Sequence, residues 1–128
     1  MAAQQEERPL QQHTITEALD SWITNTERHL MPVASVMPED KYSFSPLPTS
    51  GEFKDVRTFA QQLKHLAANN YLMAAFILGR KGSAELNNET GPVSIRTKTE
   101  IIEYLRSSFV ALHNAVATIA SCFGHATA

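Results

Sequence analysis

Residues 97–119 read TKTEIIEYLRSSFVALHNAVATI, and the spacing of their apolar positions decides the fold class. Ile101, Leu105, Phe109, Leu112, Val116 and Ile119 recur in steps of three and four, the repeat of one face of an α-helix. Just ahead of them Thr97 precedes Glu100 in the pattern Thr-x-x-Glu/Gln. In such a capping box the threonine oxygen accepts from an amide of the first turn, and the acidic or amide side chain reaches back to the cap's own N–H. The same pattern pairs Thr14 with Glu17 and Thr58 with Gln61, each time ahead of a helical stripe.

Working outward, the second stripe is Phe59, Leu63, Leu66, Asn70, Met73 and Ile77. Ala60, Ala67 and Ala74 widen it on one flank, and Leu72 and Phe76 on the other, an arc suited to a helix with two neighbours. Gly79 reads as the C′ residue, with Arg80 and Lys81 near the negative end of the helix dipole. The first stripe is Ile15, Leu19, Trp22, Thr26, Leu30, Val33 and Met37. Pro32 predicts a kink or break there, because proline removes a backbone donor and crowds the preceding turn. Helices are thus expected over about 15–37, 58–78 and 98–122, each about 30–37 Å long. A tail over residues 1–13 precedes a single helical domain over 14–128.

Two connections carry information. The Pro-rich loop after Met37 holds Tyr42 and Phe44, both expected to fold back onto the bundle. The stretch from Arg80 to Arg96 is polar, contains Gly, Asn and Pro, and has no periodicity. It is long enough to climb the bundle, which predicts that the second and third helices run parallel through a crossover.

Composition narrows the partners. Hydrophobic residues make up 43% of the 128 and charged residues 19%, which suits a folded globular chain. A formal net charge of −2 with no dense Lys/Arg run disfavours nucleic acid and anionic membranes. Cys122, the single cysteine, allows no internal disulfide and reads as a spectator thiol. The longest apolar run, Leu72 to Leu78, is too short to span a bilayer. No secretory segment follows Met1, so the chain reads as cytoplasmic; an exported protein with its signal removed would read the same.

Among single residues, His65 lies about 100–140° from the centre of the second stripe, beside Asn69, Leu72 and Phe76. On its own it reads as a partly buried histidine with a backbone or water partner. Asn70 falls on the core stripe and needs a buried hydrogen-bond partner. Trp22 and Tyr71 read as core. His113, on a flank of the third helix, and His125, in the tail, read as solvated or as contributors to a partial site with His65.

The segment MPEDKYSFSP at residues 37–46, followed by VRTFAQQLKHLAANNY at residues 56–71, resembles the DinB-like (DinB/YfiT) superfamily. The order of parts agrees, and Thr97-Lys-Thr-Glu100 opens the third helix in the same way. The resemblance implies an up-and-down four-helix bundle. It implies a divalent metal, zinc or nickel, held by one histidine of the second helix and an HxxxH pair of the fourth. It further implies thiol-dependent transferase or hydrolase chemistry with a low-molecular-weight thiol. A metal suits that chemistry because it stabilises the thiolate, the real nucleophile. Of the three ligands His65 alone carries over. His13, His29, His65, His113 and His125 include no HxxxH pair, and the chain ends at Ala128, about where a link to a fourth helix would begin. The expectation is an all-α fold of three long helices without the fourth, with an incomplete His site. The alternative function is a catalytically inactive helical module that self-associates, as a homodimer, through the apolar groove left by the missing helix.

Overall fold

The computed structural model describes residues 14–46, 55–80 and 89–123. Among them the chain forms helix α1 (Ile15–Val36), a 3-10 turn (Glu39–Lys41), α2 (Phe59–Ile77) and α3 (Lys98–Phe123), with no strand. Residues 1–13, His125 and the side chain of Cys122 lie outside the described residues.

All three helices start where the capping boxes put them. The amide of Glu17 donates to Thr14 Oγ1 at 3.1 Å, that of Gln61 to Thr58 Oγ1 at 3.1 Å, and that of Glu100 to Thr97 Oγ1 at 3.2 Å. The reciprocal side-chain bonds from Glu17, Gln61 and Glu100 are also present. At the far end of α2, Gly79 adopts a left-handed φ of 68°. The amide of Arg80 reaches back to Ala75 O and that of Gly79 to Phe76 O, the paired bonds of a Schellman stop.

The core is built on α3. Ile101, Leu105, Phe109, Leu112 and Val116 are all buried, as their spacing requires. α2 meets them with small residues, Ala67 and Ala74, and with Leu63, so the two backbones approach closely. Pairings advance together along both helices. Leu63 shares a cluster with Ile101 and Leu105, Asn70 meets Ser108, and Ala74 packs with Leu112 and Ala115. α2 and α3 are therefore parallel, joined by the long crossover. α1 runs the other way: Lys98 Nζ, at the start of α3, donates to the carbonyls of Ser35 (2.7 Å) and Met37 (2.9 Å), while His113 meets Asp20. α1 and α2 each pack on α3 but hardly on each other. On a helix with about 100° per residue, the α3 positions facing α1 (Lys98, His113) and α2 (Tyr104, Ser108) lie on neighbouring sides. The three helices thus take three corners of a square, and among the described residues the corner opposite α3 is open.

The loop after α1 is anchored by Tyr42, which is buried, donates its hydroxyl to Ala34 O and sets its ring edge-on to Phe59 at 5.1 Å. Phe44 departs from expectation: 60% exposed, it serves through its backbone, whose carbonyl accepts from the amide of Phe59. α1 also continues unbroken through Pro32. The missing donor would have met the carbonyl of Arg28, which is exposed, so solvent can take its place, and the helix ends one turn later.

The main correction concerns which face of α1 is covered. Trp22 is 78% exposed and Ile15 76%, while Val33 is also exposed; Trp22 is not a core residue. The covered face is centred instead on Ile23, Leu30, Met31 and Ala34. In α2 the buried centre moves toward the alanines, leaving Met73 and Phe76 exposed. Tyr71 is half-buried, its ring 5.4 Å from that of Tyr104.

Candidate functional site

His65 sits on the flank of α2 where its spacing placed it. Its Nδ1 donates to the carbonyl of Glu89 at 2.8 Å, and its Nε2 accepts from the amide of Asn69 at 3.2 Å. Asn69 is one helical turn on, so the helix repeat itself delivers this partner. The pairing describes a ring with its proton on Nδ1 and its Nε2 lone pair in use, the lone pair that a metal ion would need. Asn69 is exposed, so a ligand at Nε2 would require that side chain to turn away.

Around His65, the crossover segment is tied to α2 at several points. Lys64 Nζ donates to Pro92 O at 2.7 Å, and Arg57 lies 3.8 Å from the carboxylate of Glu89. Burial, and secondarily the charge of Arg96, pull the Lys64 ammonium below its ordinary pKa. Gly91 is buried against Tyr104 and Lys64 with φ 73°, a left-handed conformation that glycine adopts freely. The histidine thus acts as one of a row of pins holding the return segment on the helix.

His113 is not brought to His65. It lies on the opposite flank of α3, where Nδ1 donates to Asp20 Oδ1 at 2.6 Å and Nε2 lies 3.7 Å from Glu27 Oε1. Asp20 and Glu27 are two turns apart on one face of α1. That spacing was readable in the sequence, although the partner on α3 was not. No group of three or more His, Cys, Asp or Glu side chains suited to a metal occurs among the described residues. No helix among them is long and apolar enough to cross a membrane.

The remaining candidate is the open corner. At one end its floor is the cluster of Ala74, Leu112 and Ala115, with Ile23 of α1 and Ile77 of α2 as walls. Above Ile23 stand Leu19 and Trp22, and one turn before Ile77 stands the exposed Met73. The charged residues of α1 are Glu17, Asp20, Glu27 and Arg28. They fall within roughly 100° of the helix circumference, on the side toward α3 and beyond. The half of α1 that borders the open corner carries no formal charge. Nor does the corresponding flank of α2, whose Lys64 and His65 lie on the other side. Against family models, curated proteins and solved structures alike, the chain finds no match.

Proposed function

We propose that this chain is a helical association module whose open corner, between α1 and α2, receives the apolar face of another helix. The observation that carries the reading is the α1 stripe. Ile15 and Trp22 are more than three-quarters exposed on a helix that is otherwise folded and capped. Scattered apolar residues on a surface need no explanation. A line of them at helical spacing along a charge-free half-face does, because contiguous apolar patches of this kind mark partner surfaces. Of the three metal ligands that the resemblance implies the chain offers His65 alone, and that side chain is engaged by Glu89 and Asn69.

Trp22 is the single tryptophan, so its emission reports on the proposed surface directly. The test titrates the protein with an amphipathic helical peptide carrying an Ile/Leu stripe, and in parallel raises the protein's own concentration. The reading predicts a blue shift of Trp22 emission in at least one of the two titrations. A spectrum that stays at its water-exposed position in both, up to several hundred micromolar, would sink it.

A further inference from the structure

We infer that the occupant of the open corner is the α1 helix of a second copy of this chain, packed parallel to the first and in register, with the two-fold axis running along the bundle. The inference rests on the association reading above and names its partner.

Three observations favour a second copy over other occupants. The first is spacing. Ile15, Leu19, Trp22, Thr26, His29, Val33 and Val36 follow one another in alternating steps of four and three, from the first residue of α1 to its last. That strict seven-residue repeat is the seam of two helices wound around each other. All seven residues are exposed, so the seam takes nothing from the chain's own core. Its centre lies about 110° around the helix from Ala34, which is buried in the core cluster with residues of α3. The seam therefore looks into the open corner.

The second observation is the layout of the helices. α1 and α2 flank the open corner, and α3 lies opposite it. A two-fold axis parallel to the helices, between the two α1 seams, makes α1 and its copy the middle row of a block two helices wide and three deep. Each α1 then lies in the other chain's open corner, beside the partner's α2, and each α3 lies in an outer row. One operation fills both corners, as a closed two-fold pair requires. An antiparallel pair across the same seam would instead bring the partner's α3 onto α2.

The third is charge and area. Glu17, Asp20, Glu27 and Arg28 lie about 130° or more from the centre of the seam, so two copies meet without opposing like charges and without burying an ion pair. A membrane-surface helix would instead carry Lys and Arg on its polar face. Here that face has three acidic residues and one arginine. The two polar members of the seam are turned to their own helix. Thr26 Oγ1 donates to Trp22 O at 3.0 Å, and His29 Nδ1 pairs with Asn25 O at 2.7 Å. Polar residues within an apolar seam fix the register of a parallel pair at a cost in affinity. Ile15, Leu19, Trp22, Val33, Val36 and Met73 together expose on the order of 600 Å² of apolar surface. With Thr26 and His29 added this approaches the roughly 800 Å² per partner that a stable pair buries.

The experiment uses the full chain with Cys122→Ser, into which Leu19→Cys or Val33→Cys is introduced, one at a time, under mild oxidation, with light scattering for molar mass. In a parallel pair each seam residue faces its own copy. Helices in contact lie about 8–10 Å apart with Cα atoms about 2.3 Å from each axis. Facing Cα atoms then fall within reach of a disulfide, whose Cα atoms are usually about 4.4–6.8 Å apart. In an antiparallel pair each single cysteine would be about 20 Å from its copy along the helix. Ser35→Cys, on the outer side of α1, is the control. The expected result is a dimer that Leu19→Cys and Val33→Cys each lock covalently and Ser35→Cys does not. Trp22→Glu should raise the dissociation constant at least roughly 30-fold, with unchanged far-UV circular dichroism, since Trp22 is exposed within one chain. A dimer that either seam cysteine fails to lock, or that Trp22→Glu leaves intact, would overturn the inference while leaving the association reading standing. So would a monomer whose Trp22 emission shifts with the helical peptide. A monomer unresponsive to peptide would remove both.

Discussion

The amide of Asn70 on α2 donates to the hydroxyl of Ser108 on α3 at 3.1 Å, and Ser108 in turn donates to Leu105 O at 2.6 Å. Ser108 is completely buried in a seam otherwise lined by alanine, leucine and phenylalanine. A polar pair in such a seam fixes the register of two parallel helices, because sliding by one turn would strand both groups. Ser108→Ala and Asn70→Ala are each expected to cost about 1–2 kcal/mol. The double variant should fall short of their sum by about 1 kcal/mol. Denaturant titration of the four proteins measures the cycle, and full additivity would show that the bond contributes nothing specific.

Glu100 makes stability depend on acid. Backbone N–H donors, first of Arg96 and then of Thr97, hold its carboxyl below the ordinary glutamate pKa. Its folded pKa is depressed, so its contribution is complete above the unfolded value of about 4.3. That contribution drains away as pH falls from there through the lower folded value. Glu100→Gln should therefore flatten the acid limb of the stability profile below about pH 5 and leave its neutral shape unchanged. Thermal unfolding between pH 2 and 7 decides it; parallel profiles for both proteins would contradict the assignment.

Gly91 and Gly79 separate two costs of adding a Cβ. Both have left-handed φ, 73° and 68°. At Gly79 nothing lies within 4 Å of the added carbon, whereas at Gly91 it would meet Tyr104 Cε1 at 3.2 Å and Lys64 Cε at 3.3 Å. Gly79→Ala is expected to cost about 1 kcal/mol, the backbone term alone. Gly91→Ala should cost about 2 kcal/mol, because the crossover must also lift from the Tyr104 ring. Equal losses would mean that the ring and the lysine stem simply move aside.

His65 decides between association and metal chemistry. With Nδ1 on Glu89 and Nε2 on Asn69, purified protein is expected to carry no stoichiometric zinc or nickel. His65→Ala should then leave metal content unchanged and loosen the crossover, detectable as faster amide exchange around Glu89. Near-stoichiometric metal that vanishes in His65→Ala would instead restore the metalloprotein reading.

How much of this could be read beforehand differs by helix. The cap positions were legible because a capping box is a local device, and three threonines marked three starts within one residue. α3 was legible because it is covered on two neighbouring sides, so its stripe is buried from Ile101 to Val116 and only Ile119, near its end, is half-buried. For α1 the periodicity correctly grouped Ile15, Leu19, Trp22 and Val33 on one face. Spacing tells which residues share a side, however, and not whether anything lies against it. In α2 the centre of burial moved to Ala67 and Ala74, since close parallel packing selects for small side chains that a hydrophobicity pattern weights lightly. His65 was placed on its flank correctly, but its carbonyl partner Glu89 lies 24 residues away and left no trace in local spacing.

The ammonium of Lys98 closes the end of a helix that precedes it by more than 60 residues, donating to Ser35 O and Met37 O. α1 has no basic residue in its own last turn. Completion of that turn is thus a tertiary event, because the carbonyls of Ser35 and Met37 do not gain the Lys98 ammonium until α3 arrives. The last turn of α1 becomes an internal gauge of assembly. Its amides should exchange at the rate set by undocking of α3, and Lys98→Met should uncouple them while the turns around Leu19 and Ile23 keep their protection.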